Sequence, residues 1–596
     1  MIASDLKVAA VDVQAERRSD GSILLSNGIA LPPVNGTIPQ RLAHWANIQP
    51  QALFLTQGDR ELTYAQAEAE RRRIAARLLA MPLSLERPLM LLGQNSIEHA
   101  LVVLAATSVG IPVAIVSPTY AAPEARPWAK LLRVIGEIDP GLVIADHTDL
   151  AVSMLAESGR PGLEVRSLKD LGWIDAVQPI SDTIVDAMEA DVGLDTVAKL
   201  LFTSGSTGHP KAVANTQRMM VSNMLGLSAI WPFLNDRPPV SVDWLPWNHT
   251  FGGNCCFNTT LWFGGHSHID DGRPTLKSIA KTVDALRRWR PTLFYNVPVG
   301  FEALLPFLES DPVFARHFFG DLDFIFNGGA PLPTALRKRV EAAALASVGR
   351  VPMIVAGWGS TETAPFSSIL YFDQPYANNL GAPMPGTTIK MMPNEDRYEL
   401  RVRGPNVMPG YWRDPTTTAN AFDEEGFYKI GDAAKFADPN DPSAGILFDG
   451  RVAENFKLTS GTWVNVGALR LAIVNAGEKL ISDVVITGHG RGEVGILLFP
   501  NQEACRALLG EDMSAMFGTE AIAEHPLIRE RLSAILRRHN DRQMGSSTRI
   551  ARFMVLAEPP SAHHDEITEK GNVNQRRILE RRADLVERLY EDAYAL

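Results

Sequence analysis

The stretch Leu200–Val213, LLFTSGSTGHPKAV, joins an apolar run to a loop of hydroxyl residues and glycines that ends in a lysine. The residues AKLLF predict a buried strand, and TSGSTG predicts the loop that follows it. Glycines let backbone N–H groups approach an anion closely, hydroxyls add neutral donors, and Lys211 adds a positive charge. The stretch therefore predicts a cradle for a polyphosphate. It is not a Walker A loop, because Gly208 is followed by His-Pro-Lys.

Short apolar runs that stop at Gly, Ser or Asp recur along the chain and alternate with helix-period segments. They include PLMLLGQ, GLVIADH, AKLLFTS, DFIFNGG and PMIVAGW. Thr63 and Gln66 have the spacing of a capping box at the start of one such helix. This alternation predicts an α/β protein of mostly parallel sheets covered by helices. Ligands in such sheets bind beyond the carboxyl ends of the strands, where the glycine-rich motifs lie.

The most apolar run, Ala100–Pro118, resembles a membrane span in composition. Pro112 interrupts it, whereas a spanning helix needs about 20 consecutive apolar residues. We therefore predict a helix that ends at Ser108, followed by a buried strand over Val113–Val116.

Composition excludes several classes of function. The 596 residues carry a net charge of −11, from 57 basic and 68 acidic residues, which argues against non-specific nucleic-acid binding. Three cysteines (Cys255, Cys256 and Cys505) form no C-x-x-C pair, so neither a disulfide framework nor a zinc site is indicated. No apolar core of signal-peptide length follows Met1, so we expect a cytoplasmic protein that does not bind membranes. The polar segment Lys435–Arg451 predicts a surface excursion near a domain boundary.

The motif FTSGSTGHPKAV resembles the phosphate-binding signature of the adenylate-forming, AMP-binding superfamily of acyl- and aryl-CoA synthetases. Further motifs follow in the family's order, so the resemblance covers roughly residues 40–580. It implies an adenylation domain over residues 1–450 and a small, mobile α+β domain over residues 451–596. The first would combine helix-covered, mostly parallel sheets with a small β-barrel-like subdomain. The substrates implied are ATP, coenzyme A and a carboxylic acid, with Mg²⁺.

The resemblance also implies a nucleotide site, carried by the motifs FTSGSTGHPKAV, FNGGAPLP, GFYKIGDAAKF and DGRVAENFKL. A plain turn would look similar to FNGGAPLP. The predicted nucleotide-binding residues are Thr203, Ser204, Gly205, Ser206, Thr207, Gly208, Lys211, Gly328, Gly329, Ala330, Asp432 and Arg451.

Catalytic roles are implied by three other motifs. In GWGSTETAP, Thr361 would bond the α-phosphate and Glu362 would hold Mg²⁺, a cation that prefers carboxylate and phosphate oxygens. The same residues could cap a helix, and the two interpretations are compatible. In LPWNHTFGGN, His249 would line and gate the acyl pocket. In DEITEKGNVNQRRIL, Lys570 would bridge the substrate carboxylate and the α-phosphate.

Further pocket residues and departures from the family pattern concern substrate choice. Trp247 and Gly357 are candidate neighbours of the acid, and Gly461 is the candidate for the coenzyme A tunnel. The hinge of the family normally has Asp or Lys where this chain has Ala453, which leaves the pivot undetermined. Ala468 stands where glutamate is usual.

The segments ENFKLTSGTWVNVGALR and EITEKGNVNQRRILERRADLVERLY look like those of bacterial feruloyl-CoA synthases. They favour an aromatic, hydroxycinnamic acid substrate such as ferulate. A fatty acyl-CoA ligase, or an enzyme that loads a separate carrier protein, stays open, as does homodimerisation. A nucleotide-binding regulator without catalysis is disfavoured, because Lys211, Glu362 and Lys570 are all retained.

Overall fold

A computed structural model describes residues 6–203, 210–275, 277–374, 376–477, 479–509, 519–561, 564, 566–567 and 573–596. Six predicted site residues lie outside the described residues: Ser204, Gly205, Ser206, Thr207, Gly208 and Lys570. Among the described helices, none has both the length and the apolar composition that crossing a membrane requires.

The described residues form 26 strands. In chain order they are β1 Val13–Arg17, β2 Ile23–Asn27, β3 Leu53–Gln57, β4 Arg60–Thr63, β5 Leu89–Leu92, β6 Val113–Ile115, β7 Leu142–Ala145, β8 Val165–Ser167, β9 Val197–Thr203, β10 Lys211–Thr216, β11 Val240–Asp243, β12 His266–Ile269, β13 Leu293–Asn296, β14 Phe324–Asn327, β15 Met353–Gly359, β16 Phe366–Leu370, β17 Ala382–Pro383, β18 Thr388–Asn394, β19 Arg397–Arg403, β20 Tyr428–Phe436, β21 Ile446–Arg451, β22 Phe456–Lys457, β23 Trp463–Val464, β24 Ile481–Thr487, β25 Val494–Pro500 and β26 Ile550–Val555.

The same residues form 20 α-helices. They are α1 Ile38–Ile48, α2 Tyr64–Leu78, α3 Ile97–Ser108, α4 Ala129–Ile138, α5 Thr148–Glu157, α6 Asp182–Asp191, α7 Gln217–Ile230, α8 Phe233–Asp236, α9 Phe257–Trp262, α10 Ile279–Arg288, α11 Pro298–Ser310, α12 Pro312–Gly320, α13 Thr334–Val348, α14 Pro415–Ala421, α15 Val466–Ala476, α16 Gln502–Leu509, α17 Thr519–Glu524, α18 Pro526–Asn540, α19 Gln575–Arg581 and α20 Ala583–Leu589.

Three mixed sheets build the first part of the chain, with strand orders β10-β9-β6-β5-β7-β8, β13-β14-β15-β16-β17 and β11-β12-β3-β4. Their inner pairs are parallel, and antiparallel strands such as β10, β16 and β4 lie toward the edges. The strands β5, β7 and β14 are buried along their whole length, as expected for strands covered on both faces. The prediction of helix-covered, mostly parallel sheets is confirmed.

Several local predictions are confirmed as well. The run Ala100–Pro118 contains the end of α3 at Ser108 and then β6, so it forms a buried helix and strand. Thr63 caps α2, and its side chain exchanges hydrogen bonds with Gln66 as a capping box. Local sequence determined these elements, because caps and breakers act within a few residues.

A six-stranded antiparallel sheet, in the order β1-β2-β18-β19-β20-β21, forms the subdomain predicted to be barrel-like. Its two edges approach each other, since the backbone N–H of Val13 donates to Ser443 Oγ, just before β21, at 3.2 Å. The surface excursion predicted for Lys435–Arg451 is found over its middle part, and its position near a domain boundary stays a prediction. The two ends of this segment belong to strands β20 and β21 of one hairpin, and residues 437–445 leave the sheet. Its proline, aspartate and glycine residues mark a hairpin loop, which has the same composition as a linker.

The last part of the chain has its own core. The three-stranded sheet β24-β25-β26 packs with α15 and α18, and buried aliphatic side chains such as Ile473, Val484 and Leu532 fill the space between them. This separate C-terminal domain agrees with the predicted α+β character. The boundary placed at residues 450 and 451 stays a prediction.

Candidate functional site

The predicted phosphate cradle connects the two strands of a hairpin. Thr203 ends β9, Lys211 begins β10, and the two residues are paired across the antiparallel ladder. Both side chains are half-buried. Lys211 therefore lies next to the predicted phosphate loop, which begins at the carboxyl end of strand β9.

Glu362 lies in a short helical turn, Thr361–Thr363, that follows β15. Its side chain is buried, and Tyr411 donates its hydroxyl to Oε1 at 3.0 Å. Tyr428 lies close enough for its phenol to feel the charge of the same carboxylate. Burial and the charge of Glu362 raise the pKa of Tyr411 and of Tyr428 above the usual range, so both phenols stay protonated as donors.

Lys211 and Glu362 are connected through the same tyrosine. The ammonium of Lys211 lies 5.1 Å from the centre of the Tyr411 ring, while the hydroxyl of that ring reaches Glu362. Tyr411 thus contacts a cation through its ring and a buried carboxylate through its hydroxyl. This arrangement suits a bound polyphosphate with a divalent cation, because Lys211 would attract the phosphates and Glu362 would attract the cation.

Asp432 and Arg451 are paired directly across β20 and β21. Trp358 donates its indole N–H to Asp432 Oδ2 at 2.8 Å, and Arg451 Nε lies 3.5 Å from Oδ1. The aspartate is 7 % exposed, whereas the arginine side chain is 64 % exposed, so the guanidinium can reach a ligand. The carboxylate of Asp432 raises the pKa of Arg451 above its usual value. These two residues, 19 positions apart in sequence, form one charged pair beside Trp358.

Gly328 and Gly357 border an aromatic wall. A Cβ atom at Gly328 would lie 2.5 Å from the ring of Phe251, and one at Gly357 would overlap the ring of Phe366. Phe326 lies between them, with its ring centre 5.5 Å from Phe251 and 5.3 Å from Phe366. Rings of the chain itself therefore pack directly on the backbone of both glycines. The adenine role itself stays a prediction.

The two residues after Gly328 complete the turn. Gly329 has φ +78°, a left-handed conformation that favours glycine. The N–H of Ala330 donates to the carbonyl of Gly328 at 2.9 Å, and Asn327 Nδ2 donates to the carbonyl of Ala330 at 2.7 Å. The turn is thereby held at the carboxyl end of β14.

Trp247 and His249 precede a π-helical turn, Phe251–Cys256. The Trp247 ring is buried and packs on His99 and Phe257, with ring centres 5.2 Å and 4.9 Å away. His249 is half-buried, and its carbonyl accepts the N–H of Gly253 at 2.8 Å. The described contacts place Trp247 in the hydrophobic core, and the pocket roles of both residues stay predictions.

Gly461 lies in the turn between β22 and β23, with φ +81°. Its N–H donates to the carbonyl of Leu458 at 2.9 Å. The described contacts do not join Gly461 to the predicted nucleotide-binding residues, so its coenzyme A role stays a prediction. Ala453 and Glu454 lie two and three residues after the end of β21, and their role as the hinge stays a prediction.

Comparisons with known proteins decide the family. Residues 42–412 match the model of AMP-binding enzymes, and residues 455–594 match that of the AMP-binding enzyme C-terminal domain. The chain belongs to the AMP-binding enzyme family. This family is that of adenylate-forming acyl- and aryl-CoA ligases.

Individual relatives of this AMP-binding enzyme are distant. A feruloyl-CoA synthase from Amycolatopsis is 26% identical over 66% of this chain and 76% of its own. A long-chain-fatty-acid–CoA ligase from Mycobacterium bovis is 24% identical over 89% of this chain and 92% of its own. The crystal structure of ATP-bound MatB from Rhodopseudomonas palustris, 20% identical, has a TM-score of 0.69 and covers 92% of this chain and 100% of that one. The last comparison supports the fold alone.

Sequence reasoning missed four residues that shape the site of this AMP-binding enzyme. Trp358 and Tyr411 bond the predicted carboxylates, Tyr428 feels the charge of Glu362, and Lys199 lies buried on β9, the first strand of the phosphate hairpin. Trp358 follows Gly357 in GWGSTETAP, and Tyr428 lies in GFYKIGDAAKF, so their motifs were recognised without them. Tyr411 had no signal, because its role depends on the packing of a distant segment.

We expect Asp432→Asn to raise the KM for ATP by about 10- to 100-fold, the scale of losing hydrogen bonds to a charged group. The amide keeps an acceptor for Trp358 but loses the charge that holds Arg451. Initial rates over an ATP series measure the change. Asp396→Asn is the matched control, because Asp396 is exposed in the same subdomain and pairs with Lys435. An unchanged KM in Asp432→Asn would exclude this aspartate from the nucleotide site.

Proposed function

We propose that this AMP-binding enzyme activates an aromatic carboxylic acid of the hydroxycinnamic type, such as ferulate, and transfers it to coenzyme A. The observation that supports the proposal is that side chains from four separate motifs are linked by contacts. Lys211 and Glu362 both contact Tyr411, while Asp432 pairs with Arg451 and accepts from Trp358, in the motif that also holds Thr361 and Glu362. Such a set of charges and hydroxyls suits a nucleoside triphosphate better than any neutral ligand.

The reaction has two steps. A carboxylate oxygen of the acid attacks the α-phosphorus of ATP, the bond to the bridging oxygen breaks, and pyrophosphate leaves. The thiolate sulfur of coenzyme A then attacks the acyl carbon, and AMP leaves with the bonding electron pair. Positioning and charge stabilisation carry both steps, so no nucleophilic side chain of the protein is needed.

The residues present fit Mg²⁺, because Glu362 offers a buried carboxylate whose tyrosine neighbours are neutral donors. When bound, Mg²⁺ supplies positive charge for the phosphate oxygens. In this proposal Thr361 bonds the α-phosphate, and Lys211 holds the outer phosphates. Asp432 can accept from the ribose hydroxyls, and Arg451 can bond ribose or phosphate. Lys570 is assigned to the acid carboxylate and the α-phosphate, with an ammonium that offsets the developing charge.

Two facts support an aromatic acid. The half-buried ring of Phe251 lies against Gly328, and the buried rings of Phe326 and Tyr295 pack on it, with centres 5.5 to 6.2 Å apart. A planar acid would stack on the accessible part of Phe251. The relative from Amycolatopsis is a feruloyl-CoA synthase. The match to a long-chain-fatty-acid–CoA ligase keeps a fatty acid as the second candidate, and loading of a carrier protein as the third.

A substrate panel tests the proposal. We expect ferulate, MgATP and coenzyme A to give AMP, pyrophosphate and a thioester with a new long-wavelength absorbance, and p-coumarate and caffeate to behave similarly. Pyrophosphate release and the absorbance measure the two steps. AMP formation with fatty acids alone would overturn the aromatic assignment. Pyrophosphate release without any thioester would favour loading of a carrier protein.

A further inference from the structure

Lys199 is a buried ammonium group that the proposed reaction does not use. It lies on β9, four residues before Thr203, and is 5 % exposed. Its Nζ donates to the carbonyl of Gly253 at 2.9 Å and to Asn254 Oδ1 at 3.1 Å. No carboxylate pairs with it among the residues that the structure describes. A buried amine that is held only by neutral acceptors is costly, so its retention calls for a reason.

The electrostatic surroundings agree with this geometry. Burial lowers the pKa of Lys199 to about 7. The nearby imidazole of His99 on α3 is also buried, which lowers its pKa to about 4 and leaves it neutral near pH 7. Since neither side chain is negatively charged, neither offsets the free-energy cost of burying the other.

The acceptors of Lys199 belong to a buried chain of polar side chains. Asn254 Nδ2 donates to Asn215 Oδ1 at 2.9 Å and to Thr250 Oγ1 at 3.1 Å. Asn215 lies on β10, directly opposite Lys199 in the ladder that joins β9 and β10. The chain therefore ties both strands of the phosphate hairpin to the π-helical turn Phe251–Cys256.

A π-helical turn is wider than an α-helix and is frequent at functional sites. Two glycines let this one pack closely, since a Cβ at Gly252 or Gly253 would overlap the carbonyls of Pro246 or Trp247. Lys199 bonds the carbonyl of Gly253. Phe251, the first residue of the turn, lies against Gly328, which follows β14 of a different sheet from the one that holds β9 and β10. The turn thus lies between the hairpin of the phosphate loop and the aromatic wall.

We propose that Lys199 is a positioning residue that fixes the π-helical turn, and with it the ring of Phe251, relative to strands β9 and β10 of the phosphate hairpin. It aligns the acid with the α-phosphate through the helix, without touching either substrate. The inference rests on the proposed function, which locates the acid at the ring of Phe251.

Lys199→Met tests the inference, because methionine keeps the length of the side chain and removes its donors. We expect a rise of about 10-fold or more in the KM for the acid and a comparable fall in kcat, since small misplacements of reacting groups are costly. The KM for ATP should stay within about twofold, because Lys211, Asp432 and Arg451 are untouched. The acid used is whichever one in the panel gives the highest kcat/KM with the unmodified enzyme. Lys281→Met, on the exposed face of α10, is the matched control.

A second measurement does not depend on turnover. Hydrogen exchange on the full chain should be faster in Lys199→Met over residues 247–258 and unchanged over α10. Asn254→Leu should give the same local change, and the double variant should add little to either single one, as for residues in one network. Unchanged exchange in the turn, or equal effects on the KM values for acid and ATP, would overturn the inference. If no acid supports turnover, the proposed function fails, while the exchange experiment still decides the role of Lys199.

Discussion

Replacing Lys570 by alanine is expected to lower the rate of acyl-adenylate formation by about 10²- to 10³-fold, the scale of removing one charge-stabilising donor. The ammonium would lie where negative charge develops as the carboxylate attacks phosphorus. The second half-reaction does not create that charge, so the transfer of a supplied acyl-adenylate to coenzyme A should be largely spared. Exchange of labelled pyrophosphate into ATP measures the first step, and thioester absorbance measures the second.

The control for this variant is Lys281→Ala, which removes an exposed lysine from α10. We expect it to leave both half-reactions unchanged. Equal losses in the two half-reactions of Lys570→Ala would point to a folding defect of the C-terminal domain. Unchanged pyrophosphate exchange would mean that another lysine carries the role.

Glu362→Gln is expected to lower kcat/KM by about 10²-fold and to raise the Mg²⁺ concentration needed for half-maximal rate. Glutamine keeps the size of the side chain and an acceptor for Tyr411, but it removes the negative charge that attracts the cation. A Mg²⁺ titration at fixed ATP measures the shift. A loss of rate with an unchanged Mg²⁺ requirement would contradict the role in metal binding.

Two further variants help to explain the change in Mg²⁺ requirement of Glu362→Gln. Tyr411→Phe removes the hydroxyl that holds the carboxylate, and we expect a smaller loss, about 10-fold, with the same shift in Mg²⁺ requirement. Glu302→Gln, an exposed residue on α11, should behave as the unmodified enzyme. A change in Glu302→Gln would show that net charge, and not the site, governs the Mg²⁺ response.

Elements with strong local signals could be predicted from the sequence. The helix that ends at Ser108, the strand that begins at Val113 and the capping box at Thr63 occur where the sequence placed them. The sequence did not indicate that the ends of Lys435–Arg451 belong to strands β20 and β21, because a hairpin loop and a domain linker share polar, proline-rich composition. Which of the two forms depends on strand pairing with β19, a contact between distant residues.

The motifs by themselves determined that this chain has the parts of a nucleotide site, since Lys211, Glu362, Asp432 and Arg451 each lie in a recognisable local pattern. Only the tertiary structure decided which side chains support them. Tyr411 bonds Glu362 and Lys199 bonds Gly253 through approaches of segments 49 and 54 residues apart. Local propensities act over a few residues, whereas such contacts arise from the packing of whole sheets and helices. For that reason the sequence specified the charged groups, and the fold determined the environment that fixes their positions.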